Sequence, residues 1–444
     1  MLEEDTIAAI STPPGEAAIA VIRVSGPAAE EVLLKVFRPR AGKPPSPRRL
    51  ALGDIVRGEE VVDSVLAVVF PGPHSYTGET VAEIHGHGGT LVSARVMETL
   101  LEAGARAAEP GEFTRRAFLN GKMDLTQAEA VMDVIRARTP LALRAAREQL
   151  SGRLGGEINH LRERLLALVA NVEAWIDFPD EDIDPETDTR FLASIDAAIA
   201  RVESLLATAD AGRVFRHGIR TVLCGAPNAG KSSLLNRLLG FDRAIVTATP
   251  GTTRDTIEET ANFGGYPFQL IDTAGLRDPA DEAESLGIDR AKKAVAEADI
   301  VIHVVDASGH SGPPASPEDP REVLAWNKTD LVPSNAAPGS LPNVFPVSCQ
   351  TGEGLEGLMD ALIARARAVA PSPTAAAINA RHQSCLLRCL VGLRQAREEL
   401  AGGNPPELAA TGLHSALEAA GEIVGIADTE EILGAIFSRF CIGK

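Results

Sequence analysis

Residues 225–233 read Gly225-Ala226-Pro227-Asn228-Ala229-Gly230-Lys231-Ser232-Ser233, follow an apolar run at 219–224 and lead into Leu234-Leu235-Asn236-Arg237-Leu238-Leu239. Strand, glycine-rich turn and helix start in that order form a phosphate trap, and the pattern commits this part of the chain to an α/β sheet. Gly225 and Gly230 let backbone N–H groups curl around an anion. Lys231 reaches the terminal phosphates, and Ser232 offers a hydroxyl to Mg²⁺. Asn228, Ala229 and Ser233 complete the loop.

A nucleotide switch also needs a metal-linked carboxylate and a base reader, each following a strand. The run 268–271 ends in Asp272-Thr273-Ala274-Gly275, where Asp272 can hold the Mg²⁺ water shell and Gly275 lets its N–H approach a γ-phosphate. Ala325-Trp326 leads into Asn327-Lys328-Thr329-Asp330. The Asp330 carboxylate can accept both N–H groups of guanine's pyrimidine edge, and adenine would leave it unpaired. Charge-assisted hydrogen bonds contribute roughly 1.5–3 kcal/mol each, so the expected preference for guanine is large. Three motifs in order point to a GTPase domain, where a structural glycine turn would explain one of them.

The 444 residues suffice for two to three domains, with 45% hydrophobic and 23% charged residues, both globular values. No apolar run reaches about 18 residues, and the acidic start Met1-Leu2-Glu3-Glu4-Asp5 is unlike a signal peptide. The 5 cysteines, at 224, 349, 385, 389 and 441, are scattered, which suits a reducing cytosol. The net charge of −18 argues against indiscriminate polyanion binding, so a nucleic-acid substrate needs a local basic patch or a partner.

Residues 1–118 mix strand-like runs (18–24, 64–70, 81–85) and one helix (92–101) with turns, and 38–49 form a basic, Pro-rich surface loop. Residues 119–215 are helical (141–150, 158–174), broken by the acidic segment 177–184. Residues 216–368 are the GTPase domain, and helical periodicity returns in 369–444, over 375–400 and 408–440. Helices on both sides of a nucleotide domain suggest that it is inserted into one helical domain. The expected fold class is multidomain α/β: an α+β N-terminal domain, a helical central domain and an inserted Ras-like P-loop domain. Cys385 and Cys389 should share an apolar helix face. His85 and His87 look like a metal pair, but Gly86, Gly88 and Gly89 suggest a flexible turn instead.

With these residues in hand, the chain resembles the MnmE (TrmE) family, GTPases of tRNA wobble-uridine modification. The resemblance rests on Asp5-Thr6-Ile7-Ala8, Thr12-Pro13-Pro14-Gly15, Arg23-Val24-Ser25-Gly26, Phe70-Pro71-Gly72-Pro73 and Thr77-Gly78-Glu79. It continues in Gly86-His87-Gly88-Gly89, Pro110-Gly111-Glu112-Phe113-Thr114, Ala117-Phe118-Leu119-Asn120 and the final Phe440-Cys441-Ile442-Gly443-Lys444. It implies a folate-binding-like N-terminal domain that makes a homodimer, transient pairing of G domains, and a cytoplasmic location. It further implies a heterotetramer with the partner MnmG, which brings FAD and NADH. Together they would act on tRNA, adding aminomethyl or carboxymethylaminomethyl groups at C5 of the wobble uridine with a carbon from 5-formyl- or 5,10-methylene-tetrahydrofolate.

By the same resemblance Glu284 is the catalytic carboxylate. Leu276 stands where many Ras-like proteins carry a water-orienting Gln, and an apolar side chain cannot align water. Asn228 with main-chain oxygens of Thr247, Thr249 and Thr252 would coordinate K⁺, and Thr253 with Ser232 would hold Mg²⁺. Ala248, Pro250 and Gly251 belong to the same nucleotide loop. Ser348-Cys349-Gln350 stands where the family carries Ser-Ala-Lys or Ser-Ala-Arg to support guanine O6. The stretch between Asp306 and Trp326 is short and Pro-rich for the family, which points to an abbreviated strand before Asn327. Arg23, Glu83, Lys122 and Lys444 would form the folate pocket; without the family, Arg23 and Glu83 read as an ion pair on a sheet surface. Cys441 would act at the one-carbon site, on a tail that Gly443 leaves mobile. The rival reading is a ribosome-assembly GTPase without chemistry of its own, which leaves the N-terminal segments and Cys441 unexplained.

Overall fold

The computed structural model of the chain describes residues 5–177, 185–241, 258–273, 292–309, 315–333, 341–371, 377–426 and 430–444. It divides into two compact units: Met1–Met132 with Gly155–Glu163 and Leu417–Lys444, and Asp133–Leu154 with Arg164–Ala416.

The first unit is built on strands β1 (Ile7–Ile10), β2 (Ile19–Ser25), β3 (Phe37–Pro39), β4 (Ala51–Arg57), β5 (Glu60–Phe70), β6 (Val81–His87) and β7 (Arg106–Ala107). They form a sheet in the order β3-β4-β5-β6-β2-β1-β7. All neighbours are antiparallel except β1 and β7. Alternation along β2 sends Ala20, Ile22 and Val24 into the core and leaves Arg23 on the opposite face. That core packs Ile22, Val24, Ile55 and Ile84 against Val32 and Leu33 of helix α1 (Ala29–Val36) and Val96 and Leu100 of α2 (Thr90–Glu102). Helix α3 (Glu112–Leu119) and α4 (Leu125–Arg136) follow.

Helices α5 (Pro140–Leu150), α6 (Arg153–Asp177), α7 (Pro185–Leu206) and α8 (Ala209–His217) fall where helical periodicity predicts them. Thr139 caps α5 by accepting a hydrogen bond from Ala142 N, and Pro140 opens the helix. The acidic segment separates α6 from α7, and its residues 178–184 lie outside the described residues.

The nucleotide-binding sheet comprises β8 (Ile219–Cys224), β9 (Glu258–Phe263), β10 (Tyr266–Asp272), β11 (Ile300–Asp306), β12 (Glu322–Asn327) and β13 (Val344–Pro346), with helix α9 (Lys231–Phe241) after β8. Their order is β13-β12-β11-β8-β10-β9, parallel apart from β9. β12 is not abbreviated: all six residues pair with β11, from Val301↔Glu322 to Asp306↔Asn327. The shortened connection leaves the strand intact because its residues are fixed by burial, Val323 to Asn327 all being buried.

Helices α10 (Leu355–Val369), α11 (Ala380–Ala401), α12 (Pro406–Val424) and α13 (Glu430–Phe437) follow. Among the described residues, the helical periodicity over 408–440 is carried by α12 and α13. Cys385 and Cys389 are both buried on α11, as expected, and burial pushes the Cys389 thiol up to about 12. In α11 and α12, Gly392 and Gly412 allow close helix contact: a Cβ on either would lie 2.5 or 2.6 Å from the other's carbonyl oxygen.

Candidate nucleotide and one-carbon sites

β8, β10 and β12 end on the same edge of the second sheet, so the loops after them converge. A cavity of about 510 Å³ opens there, lined by Gly225, Pro227, Asn228, Gly230, Lys231, Ser232, Ser233, Thr273 and Lys328. The loop that forms it is tightly built. Gly225 has φ +146°, and a Cβ there would lie 2.2 Å from the Val304 carbonyl oxygen. Asn228 also takes positive φ, +63°, and Ala229 is buried beneath the loop. The cradle thus has the backbone shape that phosphate requires.

Lys231, at the start of α9, is buried, and its Nζ donates to the carbonyls of Gly225 (3.0 Å) and Ala226 (2.9 Å). Ser232 Oγ donates to Asp272 Oδ2 at 2.8 Å. Hydroxyl and carboxylate oxygen therefore share one spot beside the cavity, the donor set that suits a hard divalent cation. Thr273 Oγ1 donates to the Leu223 carbonyl at 2.8 Å, tying the end of β10 to β8.

The residues expected to read the base form one network. Asn327 is 1% exposed; its Nδ2 donates to the Ala229 carbonyl at 2.9 Å and its Oδ1 accepts from Cys349 N at 3.2 Å. Ser348 Oγ donates to Asp330 Oδ1 at 2.5 Å, and Thr329 N donates to the Val347 carbonyl at 3.3 Å. Lys328 sits at φ +67°, and its ammonium beside Asp306 holds that carboxyl below the usual carboxylate range. The Cys349 thiol is pushed up by burial. Thr247, Ala248, Thr249, Pro250, Gly251, Thr252, Thr253, Ala274, Gly275 and Glu284 lie outside the described residues.

In the first unit, Arg23 and Glu83 are directly opposite on β2 and β6. Arg23 Nε and Nη2 donate to Glu83 Oε1 at 3.0 and 2.8 Å, with the two side chains only 16% and 18% exposed. The guanidinium also lies 5.3 Å from the centre of the Tyr76 ring and 5.8 Å from that of Phe113. Sequence reasoning assigned neither ring a role, although Phe113 lies inside a segment that carried the resemblance. The half-buried Lys444 belongs to this group: burial, then Arg23, lowers its pKa, while Glu83 and Cys441 pull the other way. Lys122 has another partner, donating from Nζ to the Pro73 carbonyl at 3.1 Å.

Two expectations here are corrected. Gly443 does not mark a mobile tail: it has φ +93°, and a Cβ would lie 2.6 Å from the Ile10 carbonyl oxygen, so glycine serves close packing. Ser11 Oγ donates to the Gly443 carbonyl (3.3 Å) and Gly111 N to that of Cys441 (3.5 Å), leaving Cys441 itself exposed. His85, Gly86 and His87 are β6 strand rather than a turn, because pairing with β2 fixes them. Each histidine meets its own acid, His85 Nε2 with Glu83 (3.4 Å) and His87 Nδ1 with Asp63 (2.6 Å).

Comparison with known proteins extends along the whole chain. A family model described as the MnmE helical domain matches residues 125–441, and one described as the GTP-binding protein TrmE N-terminus matches residues 6–122. The tRNA modification GTPase MnmE of Akkermansia muciniphila is 47% identical over 450 residues, covering 99% of each chain. That of Symbiobacterium thermophilum is 46% identical over 457 residues, covering 99% of this chain and 100% of the relative. Among solved structures, the G domain of the T. maritima FeoB iron transporter is 27% identical and covers 33% of this chain and 98% of its own, at a TM-score of 0.23.

Proposed function

The chain belongs to the MnmE family of tRNA modification GTPases, and from that premise we propose a division of labour among its residues. Guanine is read by Asp330, with Asn327 and the Cys349 N–H supporting it, and the phosphates lie along the Asn228–Ser233 loop under Lys231. Ser232 and Thr253 hold Mg²⁺, with Asp272 behind its water shell. Asn228 and main-chain oxygens of Thr247, Thr249 and Thr252 hold K⁺. Bound there, the two cations would supply positive charge to offset what develops on the leaving oxygens. Glu284 orients and polarises the attacking water, the task that Leu276 cannot perform.

Energy from hydrolysis serves modification at C5 of the wobble uridine of tRNA. Arg23, Glu83, Lys122 and Lys444 bind the tetrahydrofolate carrier, and Cys441 acts beside it. Arg23 suits an anionic folate tail, and Glu83 the amino and ring N–H groups of a pterin. The protein works in the cytoplasm as a homodimer joined through its N-terminal domain, with G domains that pair transiently, and with MnmG supplying FAD and NADH.

The observation that supports this reading best is the Ser232–Asp272 contact at the mouth of a glycine-built loop, in a chain whose other folded unit gathers Arg23, Glu83 and Lys444. The test is GTP turnover by the full-length protein in KCl and in NaCl. Turnover should be much faster in KCl, and Glu284→Ala should abolish most of it while GTP still binds. Equal rates in both salts, or an unimpaired Glu284→Ala variant, would refute the assignment.

A further inference from the structure

Building on that reading of the base pocket, we propose that Arg237 is the positioning residue of the guanine-reading turn. It caps the carbonyl end of residues 348–352 and so aims the opposite, N–H end at guanine O6.

Leu234, Leu235 and Leu238 are buried on α9, while Arg237 lies on its exposed flank. Arg237 Nε donates to the Cys349 carbonyl and Nη2 to the Gln350 carbonyl, both at 2.7 Å. Two consecutive carbonyls gripped by one planar fork point the same way. Gly352 N closes the turn by donating to the Ser348 carbonyl at 2.8 Å, so the next two carbonyls resemble the last ones of a helix. A cation is favourable at such an end, and the N–H end carries the matching partial positive charge. Cys349 N occupies that end, 3.2 Å from Asn327 Oδ1 and thus beside the base-reading motif.

The turn supplies no cation of its own, since Cys349 and Gln350 stand where Ala and a basic residue were expected. Arg237 brings one from the phosphate-loop helix. Its grip is also separate from the one on Asp330. Ser348 is held by its N–H to the Glu353 carbonyl (2.9 Å) and by its Oγ to Asp330 (2.5 Å). Releasing residues 349–350 therefore leaves the Asp330 carboxylate oriented. GTP and ITP share O6 and differ in the 2-amino group that Asp330 reads, so they separate the two contacts.

The experiment measures dissociation constants of GTP and ITP, and kcat and KM for GTP, on full-length wild-type, R237M and R237K proteins in buffer containing MgCl₂ and KCl. R237M should weaken GTP and ITP by the same factor, about ten-fold, with kcat within about two-fold of wild type. R237K, a single-point donor, should recover part of the loss. Unchanged GTP affinity in R237M, a changed GTP-to-ITP ratio, or a fall in kcat alone would overturn the proposal. If R237M fails to fold, R237Q and R237K carry the same readouts. Failure of the wild-type protein to bind GTP would instead refute the underlying assignment of the pocket.

Discussion

Replacing Gly230 by alanine should disable the nucleotide site through geometry alone. Gly230 has φ +98°, and a Cβ there would lie 2.2 Å from Asn327 Nδ2. Asn327 cannot yield freely, because its amide group makes the buried bond to Ala229 and accepts from Cys349 N. Losing these two hydrogen bonds costs about 0.5–1.5 kcal/mol each, and forcing an alanine to positive φ costs about 1–2 kcal/mol more. The total is about 2–5 kcal/mol, an appreciable share of a domain's stability. Trp326, fully buried on β12 next to Asn327, reports on this unit by fluorescence during urea unfolding once the second tryptophan, Trp175, is replaced by Phe. The variant should unfold at lower urea, and GTP should no longer shift its midpoint. A Gly230→Ala protein within about 0.5 kcal/mol of wild type and with normal GTP affinity would refute the reasoning.

Three further outcomes are expected. Arg23→Ala should weaken tetrahydrofolate binding by calorimetry by about ten-fold or more, since it removes charged donors and leaves Glu83 unpaired, while GTP turnover stays unchanged. Gly443→Ala should displace Cys441 from its seat near Ile10 and Gly111, abolishing uridine modification in a complementation assay but sparing GTP hydrolysis. Burial raises the Glu112 pKa, but hydrogen bonds from Arg106, Glu109 N and Arg116 hold it below the ordinary 4.5. A carboxylate lowered on folding stabilises above its unfolded pKa and ceases to do so as pH falls through the folded value. Thermal unfolding of the first unit should therefore become easier below about pH 4.5, and Glu112→Gln should flatten that dependence.

Much of the geometry around the phosphate-loop motif was legible in the sequence because such a turn needs fixed residue types at short spacing. Glycine at 225 and 230, Lys231, Asp272 and Asn327 each answer a local demand of backbone shape or charge. The reading of Arg23 and Glu83 as an ion pair on a sheet surface likewise matches their contact across β2 and β6. Less legible were contacts that depend on which loops meet. Nothing local in α9 distinguishes Arg237 from any exposed helix arginine, and its partners lie 112 and 113 residues away. Gly443 misled because a glycine that permits motion and one that permits close approach look alike in sequence; its distance from Ile10 separates them. The connection before β12 misled for a related reason, because loop length does not report on strand length when burial fixes the strand.

The most direct measurement is mass spectrometry of wobble uridines in tRNA from cells lacking this protein, with and without plasmid-borne wild type or a Lys231→Ala variant. C5 aminomethyl-type groups should disappear in the deletion, return with wild type and stay absent with the variant. Fully modified uridines in the deletion strain would contradict the account.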